Sequence, residues 1–356
     1  MKVYKLDSKQ KLRVVEIYAD GDKVIQLHGL VDGSLVRNES VCVGKNIGKA
    51  NETTSEAQAE FEAKSKIKKK LDEGYAISIE AAESAEILLP MLAKDYKKES
   101  KKVTFPCFVQ PKLDGMRCLA VVKNGDVKLI SRKGIEITTM SHIVEQLKEI
   151  TSVEDNFVLD GEVYNMGLGS FQEQMKAIKK ETEISKQINF NIYDIVEDKP
   201  YSYRFDFLFR RFSNLSLRYN VQLLPTTYVM SEDDIKTCHK YFIKEGYEGT
   251  MVRHGSEGYQ IDKRSSSLLK YKDFIDIAVT IVDVQPSEKR PDQAQFICEF
   301  NGTTFGCGMK FSHEERKEIL INKDDYIGKT AEIRFFEYTD DGTPRFPVCY
   351  GIRLDK

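Results

Sequence analysis

Lys112-Leu113-Asp114-Gly115-Met116-Arg117 sets a lysine amine beside a turn-forming Asp-Gly pair and an arginine. An unperturbed lysine titrates near ~10.4 and is protonated at neutral pH, so it is a poor nucleophile there. Neighbouring cations favour the neutral amine and activate it. By chance, a four-position K-x-D-G-x-R pattern arises in roughly one chain in several hundred of this length, and Asp-Gly is also an ordinary surface turn. The motif gains weight from six groups that follow in order. They are Ser131-Arg132-Lys133-Gly134, Leu159-Asp160-Gly161-Glu162, Tyr193-Asp194, and Glu248-Gly249-Thr250-Met251-Val252-Arg253. Then come Leu268-Leu269-Lys270-Tyr271-Lys272, and finally Arg345-Phe346-Pro347 leading to Arg353-Leu354-Asp355-Lys356.

In order and spacing these groups resemble the covalent nucleotidyltransferases: ATP-dependent DNA ligases, RNA ligases and mRNA capping enzymes. The resemblance covers about residues 105–356. It implies an ATP-grasp-like α+β adenylation domain followed by an all-β OB-fold, with ATP and Mg2+ (or Mn2+) as cofactors. Lys112 then becomes the adenylylated residue. Arg117, Lys270, Lys272 and the metal supply the field that neutralises its amine. Lys270 and Lys272 also meet the phosphate oxygens, where positive groups stabilise the transition state. By the same resemblance Glu162 would contact the ribose and Tyr193 would stack on adenine. Gln110 lies at the purine edge, where many relatives have glutamate, so its contact is the least defined. Glu248, with Glu162, holds the metal. Arg117, Arg132 and Arg264 engage the nucleic acid, with Arg132 on the 5′-phosphate of a nick. Arg353 and Lys356 orient the leaving pyrophosphate. Each residue also has a plainer reading: Tyr193 as a core aromatic, Glu248 as a surface carboxylate, Arg253 as structural, and Arg353–Lys356 as a solvated tail.

Two runs favour DNA joining within the superfamily. Arg264-Ser265-Ser266-Ser267-Leu268-Leu269-Lys270-Tyr271-Lys272-Asp273-Phe274 resembles the R-S-x-x-L-L-K-x-K-x-F run of compact DNA ligases. Arg345-Phe346-Pro347-Val348-Cys349-Tyr350-Gly351-Ile352-Arg353 resembles their R-F-P-V-x-x-G-I-R run, especially that of small viral enzymes. Phe171-Gln172 fits the same group. The expected partner is nicked duplex DNA, met by a monomer, with RNA joining as the alternative. A catalytically inactive nucleic-acid scaffold would be expected to lack Lys112 or Glu248, and both are present.

The elements that position these residues fall into three blocks. Residues 1–95 carry β-like runs at Leu12–Tyr18 and Lys23–Leu30, then a helix over Ser55–Asp72 stopped by Gly74. This block is similar to a WGR-type α+β module, although the chain has no tryptophan. Lys64, Lys66, Lys68, Lys69 and Lys70 give its helix a basic face suited to DNA, or simply a solvated one. Ala93–Lys102 is rich in lysine and reads as an exposed linker, assigned over 96–104. Residues 105–275 mix strands and helices, with Asn124-Gly125 marking a hairpin. Residues 276–356 are rich in β-like runs, at Ile277–Val284, Ala294–Phe300, Thr330–Phe336 and Val348–Leu354, which suit an OB-fold.

Composition sets the outer bounds. The chain has 356 residues, and its net charge of -2 confines any DNA-binding surface to a local basic face. No apolar stretch approaches the roughly 18 residues that a membrane helix needs. An intracellular protein, neither secreted nor bound to a membrane, is expected. The seven cysteines form no C-x-x-C pair and read as reduced, buried thiols.

Overall fold

The computed structural model describes every residue except 8–10, 85–87, 216–218, 289, 340 and 354–356. The chain forms two compact units. The first is Met1–Ile235 with Val252–Leu269, and the second is Lys236–Met251 with Lys270–Lys356.

The first unit opens with an antiparallel sheet of β1 (Lys2–Leu6), β2 (Leu12–Asp20), β3 (Lys23–Leu30) and β4 (Val36–Val41), in that order. Helix α1 (Ser55–Asp72) begins where the Thr54 side chain accepts the Ala57 N–H, and its last turn gives way to Gly74 at φ 81°. Ala59, Ala63 and Ile67 recur every four residues along α1 and pack on Val3, Val15, Ile17 and Val24. Lys64, Lys68 and Lys69 stay exposed. Strands β1 and β4 had no clear sequence signal. Every residue of β4 is exposed, so no buried face imposes an alternating pattern.

Beyond α2 (Ile79–Ser84), the expected exposed linker is replaced by structure. Strand β5 (Leu92–Asp95) leads into α3 (Tyr96–Glu99) and a 3-10 turn at Ser100–Lys102. The Leu92 N–H donates to the Lys263 carbonyl at 2.8 Å. Lys97, Lys98, Lys101 and Lys102 do face solvent. Met91 and Tyr96, however, are buried and fix the segment. Two apolar anchors are enough to dock a run whose composition is dominated by lysine.

The motifs from Lys112 to Asp194 sit on or beside the elements that follow: β6 (Cys107–Lys112), β7 (Met116–Lys123), β8 (Asp126–Ser131), α4 (Ser141–Ile150), β9 (Asn156–Tyr164), α5 (Phe171–Lys179), β10 (Asn189–Ile195), α6 (Tyr201–Phe212), β11 (Val221–Leu223) and β12 (Thr227–Val229). One five-stranded sheet runs β11-β10-β9-β7-β8. Asn124 and Gly125, at φ 53° and 80°, make the β7–β8 turn as expected, with Lys123 paired to Asp126. Phe190, Leu119, Leu129, Met140, Ile143 and Leu147 are among its largest fully buried side chains. A second sheet runs β12-β6-β13-β14-β5, where β13 is Gly249–Arg253 and β14 is Arg264–Tyr271. Val252–Arg253 and Arg264–Leu269 are the parts of β13 and β14 that belong to the first unit; the other residues of both strands belong to the second.

The second unit also takes most of α7 (Glu232–Lys244). Its core is a closed barrel of order β15-β16-β17-β19-β18, built from β15 (Ile275–Ser287), β16 (Arg290–Phe300), β17 (Thr303–Met309), β18 (Thr330–Phe335) and β19 (Val348–Arg353). Helix α8 (His313–Ile321) lies between β17 and β18 and starts with a Ser312/Glu315 capping box. Parallel pairing of β17 with β19 closes the barrel, as an OB-fold requires. Ile281, Phe296, Ile333 and Phe335 fill it.

Candidate active site

In the first unit, Lys112 ends β6 and the chain turns through Asp114-Gly115 into β7. The Lys112 ammonium donates to the Leu113 carbonyl at 3.2 Å. Gly115 lies so close to β9 that a Cβ would stand 2.7 Å from both the Val163 oxygen and Tyr164 Cβ. Only glycine allows that approach. The Gly115 N–H donates to Glu162 Oε1 at 3.0 Å, and the Tyr193 hydroxyl reaches Glu162 Oε2 at 3.5 Å. Burial raises the Glu162 carboxyl above its ordinary range, while Lys112, the Gly115 N–H and Arg117 pull it back. Burial also raises the Tyr193 phenol well above its ordinary value, leaving a neutral donor. Lys112, Glu162 and Tyr193, expected from the sequence as one site, are thus brought together.

Two fully buried carboxylates, Asp160 and Asp194, underpin these residues. Arg117 sets its guanidinium fork on Asp160, with Nε at 2.9 Å from Oδ1 and Nη2 also bonded. Tyr259 donates to the same carboxylate at 2.7 Å and accepts the Met91 N–H at 3.0 Å. Asp194 accepts from Arg204 Nε at 2.7 Å, from the Ile195 N–H at 2.9 Å and from Arg253 Nη1. Gln110 is 1% exposed. Its oxygen must face Arg253 Nε, 2.7 Å away, because a guanidinium only donates. Its nitrogen meets Tyr201 and Thr226, both at 2.9 Å, and the Tyr193 carbonyl at 3.3 Å.

Two sequence expectations change in this light. Gln110, placed by resemblance at a purine edge, has its amide engaged in tying β6 to Tyr193 and Arg253. Arg117, expected to help neutralise the Lys112 amine and to engage nucleotide and nucleic acid, is held by Asp160; burial disfavours its cation, yet Asp160 keeps it firmly charged. Asp160 itself was legible, since it sits two residues from Glu162 on the same face of β9. Tyr201, Arg204 and Tyr259 carry no local motif and meet the site only through the fold. Arg132 is exposed in the turn between Ser131 and Ile135. Arg264 donates to the Ala93 carbonyl at 3.1 Å and so braces β14 against β5.

The second unit carries the other expected residues. Glu248, 8% exposed, forms an ion pair with Lys272, whose ammonium lies 4.9 Å from the Phe336 ring centroid. Lys270 lies two residues earlier and is half-buried. Gly249 passes β14 so closely that a Cβ would lie 2.2 Å from the Tyr271 oxygen. In the barrel, Arg353 pairs with Glu332 at 2.9 Å and Arg345 with Glu337. Lys356 lies outside the described residues.

The donor set suits an adenine nucleotide. Tyr193 offers an aromatic face and Glu162 a carboxylate that can accept from sugar hydroxyls. Among the described residues, no group of three or more His, Cys, Asp or Glu can hold a metal alone. That is compatible with Mg2+, which is commonly held by one or two carboxylates together with phosphates and water. Glu248 or Glu162 would be such a ligand.

Comparison with known proteins matches the same parts of the chain. Residues 90–272 match the family described as "ATP dependent DNA ligase domain", and residues 293–353 match "DNA ligase OB-like domain". A DNA ligase of Enterobacteria phage T6 is 27% identical over 334 residues, spanning 75% of this chain and 68% of its own. A DNA ligase of African swine fever virus (isolate Warthog/Namibia/Wart80/1980) is 28% identical over 277 residues, spanning 73% of this chain and 64% of its own. Among solved structures, "Pmar-Lig_Pre." shares the fold with a TM-score of 0.66 at 23% identity, over 85% of this chain and 74% of that one. A structure described as "DNA binding with a minimal scaffold: Structure-function analysis of Lig E DNA ligases" has a TM-score of 0.60 at 21% identity, over 74% of this chain and 99% of that one. The lysine motif and the carboxylate-lined sheet fall within the first matched stretch and the barrel from residue 293 onward within the second, and the chain belongs to the ATP-dependent DNA ligase family of covalent nucleotidyltransferases, related to viral ligases.

Proposed function

We propose that this enzyme seals nicks bearing a 5′-phosphate and a 3′-hydroxyl in duplex DNA, through a lysyl-AMP and then a 5′-adenylylated DNA. One observation carries the reading: Lys112 stands beside Glu162, whose carboxylate is held by the Gly115 amide and the Tyr193 hydroxyl. ATP is the substrate of the first step. Glu162 binds its ribose, Tyr193 stacks on its base, and Lys112 Nζ attacks the α-phosphorus. An N–P bond forms, the bond to the β-phosphate oxygen breaks, and pyrophosphate leaves. Lys270 and Lys272 bear on the phosphate oxygens, where fixed positive charge matters most. Magnesium, when bound, neutralises phosphate charge. In the second step an oxygen of the DNA 5′-phosphate, gripped by Arg132, takes AMP from Lys112. In the third, the 3′-hydroxyl attacks that phosphorus, the phosphodiester forms and AMP leaves. Arg353 and Lys356 orient pyrophosphate in the first step only.

Contacts with DNA fall mainly on phosphate and sugar, since a nick can occur in any sequence. The N-terminal module, expected over residues 1–95 and bearing the lysines of α1, adds to the grip on the duplex. The test is incubation with α-labelled ATP and Mg2+, followed by nicked DNA and nicked RNA in parallel. The parent chain should carry an acid-labile label and seal the DNA nick, and Lys112→Ala should take no label. Labelling of Lys112→Ala would discard the nucleophile assignment, and sealing of RNA alone would discard the substrate.

A further inference from the structure

Within the second unit, one buried histidine is not used by any step above. His239, on α7, is 3% exposed. Its Nδ1 lies 2.9 Å from the hydroxyl of Thr250, which is fully buried on β13. Its Nε2 lies 3.0 Å from Asp273 Oδ2, just past the end of β14. The ring lies flat on Tyr271, with centroids 3.7 Å apart and planes 8° from parallel. A carboxylate can only accept, so Nε2 carries a proton, and in the neutral ring Nδ1 then accepts from the Thr250 hydroxyl.

These contacts surround the residues proposed to meet the phosphates. Tyr271 stands between Lys270 and Lys272, and Asp273 follows Lys272 directly. Thr250 lies two residues after Glu248, the ion-pair partner of Lys272. A lysine side chain has four rotatable bonds, so where its ammonium goes depends on how firmly its backbone is held. We propose that His239 is a positioning residue of the ligase reaction. Through Asp273 and Tyr271 it fixes the strand end bearing Lys270 and Lys272, and through Thr250 it fixes the strand that follows Glu248. The inference rests on the reading that both lysines bear on the nucleotide phosphates. A displacement of ~1 Å can slow a positioned reaction about a hundredfold, so a lost tether should be visible in the rate.

The two ring nitrogens can be separated by substitution. Glutamine places an amide near the Nε2 position and keeps the Asp273 link. Asparagine places one near Nδ1 and keeps only Thr250. The measurement is the single-turnover rate of chain adenylylation across ATP concentrations with Mg2+, alongside melting temperature. His239→Asn and Asp273→Ala should each slow the maximal rate about tenfold, with the half-saturating ATP concentration shifted less than about twofold. His239→Gln should stay within about threefold of the parent, and the His239→Asn/Asp273→Ala double variant should be no slower than either single one. Lys270→Ala and Lys272→Ala are run beside them. If neither slows the rate, the phosphate reading fails and takes this inference with it. If they slow it while His239→Asn and Asp273→Ala keep the parental rate, or if His239→Gln falls as far as His239→Asn, only the positioning role is overturned. Should His239→Asn fail to fold, Asp273→Ala decides alone, because its side chain is 59% exposed and little packing is lost.

Discussion

Glu162 accepts from the Gly115 amide and the Tyr193 hydroxyl, yet burial leaves it harder to ionise than an ordinary carboxylate. That has a consequence for stability. With its folded-state pKa raised, the group favours the folded chain most below the ordinary value of 4.5, and the benefit is lost as pH rises through the raised value. Above that raised value Glu162 therefore works against folding. Glu162→Gln should melt higher than the parent at pH 7–8, by about 1–3 °C, and the gain should vanish near the ordinary carboxylate range. The same variant should lose adenylylation, as expected where a site holds a group that the fold alone would not choose. Thermal melts across pH decide the matter; a variant that melts lower at every pH would show that hydrogen bonds to Glu162 outweigh its burial. Asp160 and Asp194 are buried, but arginine forks and tyrosine or backbone donors satisfy them, so they serve as footings for the site.

Strand β5 shows how an element can escape composition. The strand lies beside β14, and the Met91 N–H just before it donates to the Tyr259 hydroxyl, which holds Asp160 in turn. A deletion of residues 1–95 would remove this brace, whereas deletion of 1–87 would keep it. The shorter deletion should still adenylylate Lys112 at near the parental rate while binding nicked DNA more weakly. The longer one should lose several kcal/mol of stability or fail to fold, on the order expected when a buried polar network is broken. Denaturant unfolding and ATP labelling of both truncations test this; equal behaviour would mean β5 is dispensable. Elements with a strong period or cap were legible beforehand: α1 runs over Ser55–Asp72 as read, and the Asn124-Gly125 hairpin forms. The motif residues Lys112, Glu162 and Tyr193 were legible because local patterns mark them. Tyr201, Arg204 and Tyr259 were not, since their partners lie across the fold. Gln110 and Arg117 were visible as residues, but their partners, Arg253 and Asp160, redirect what they do. Strand β17 escaped because a short, largely polar strand carries little periodicity, whereas helix α8 was missed although Ser312 and Glu315 carry the capping-box pattern that opens it.

Each compact unit has core packing of its own, beneath α1 and beneath the sheet of β7, β9 and β10 in the first and inside the barrel in the second. The cysteines divide along the same line. Cys42, Cys107 and Cys118 are buried in the first unit, and Cys298, Cys307 and Cys349 are buried in the second. Burial pushes the Cys107 and Cys349 thiols up to about 12, so little thiolate exists at working pH even where a reagent could enter. Cys238, on α7, is half-buried and is the most accessible of the seven. The protein thus carries its own clock for opening. A thiol reagent at mildly alkaline pH should modify Cys238 first, and the remaining sites should follow in two groups as each core breathes. Peptide mapping by mass spectrometry over time would separate the three phases. A single shared rate for all six buried thiols would mean instead that the two units open as one, and that the barrel has no independent melting of its own.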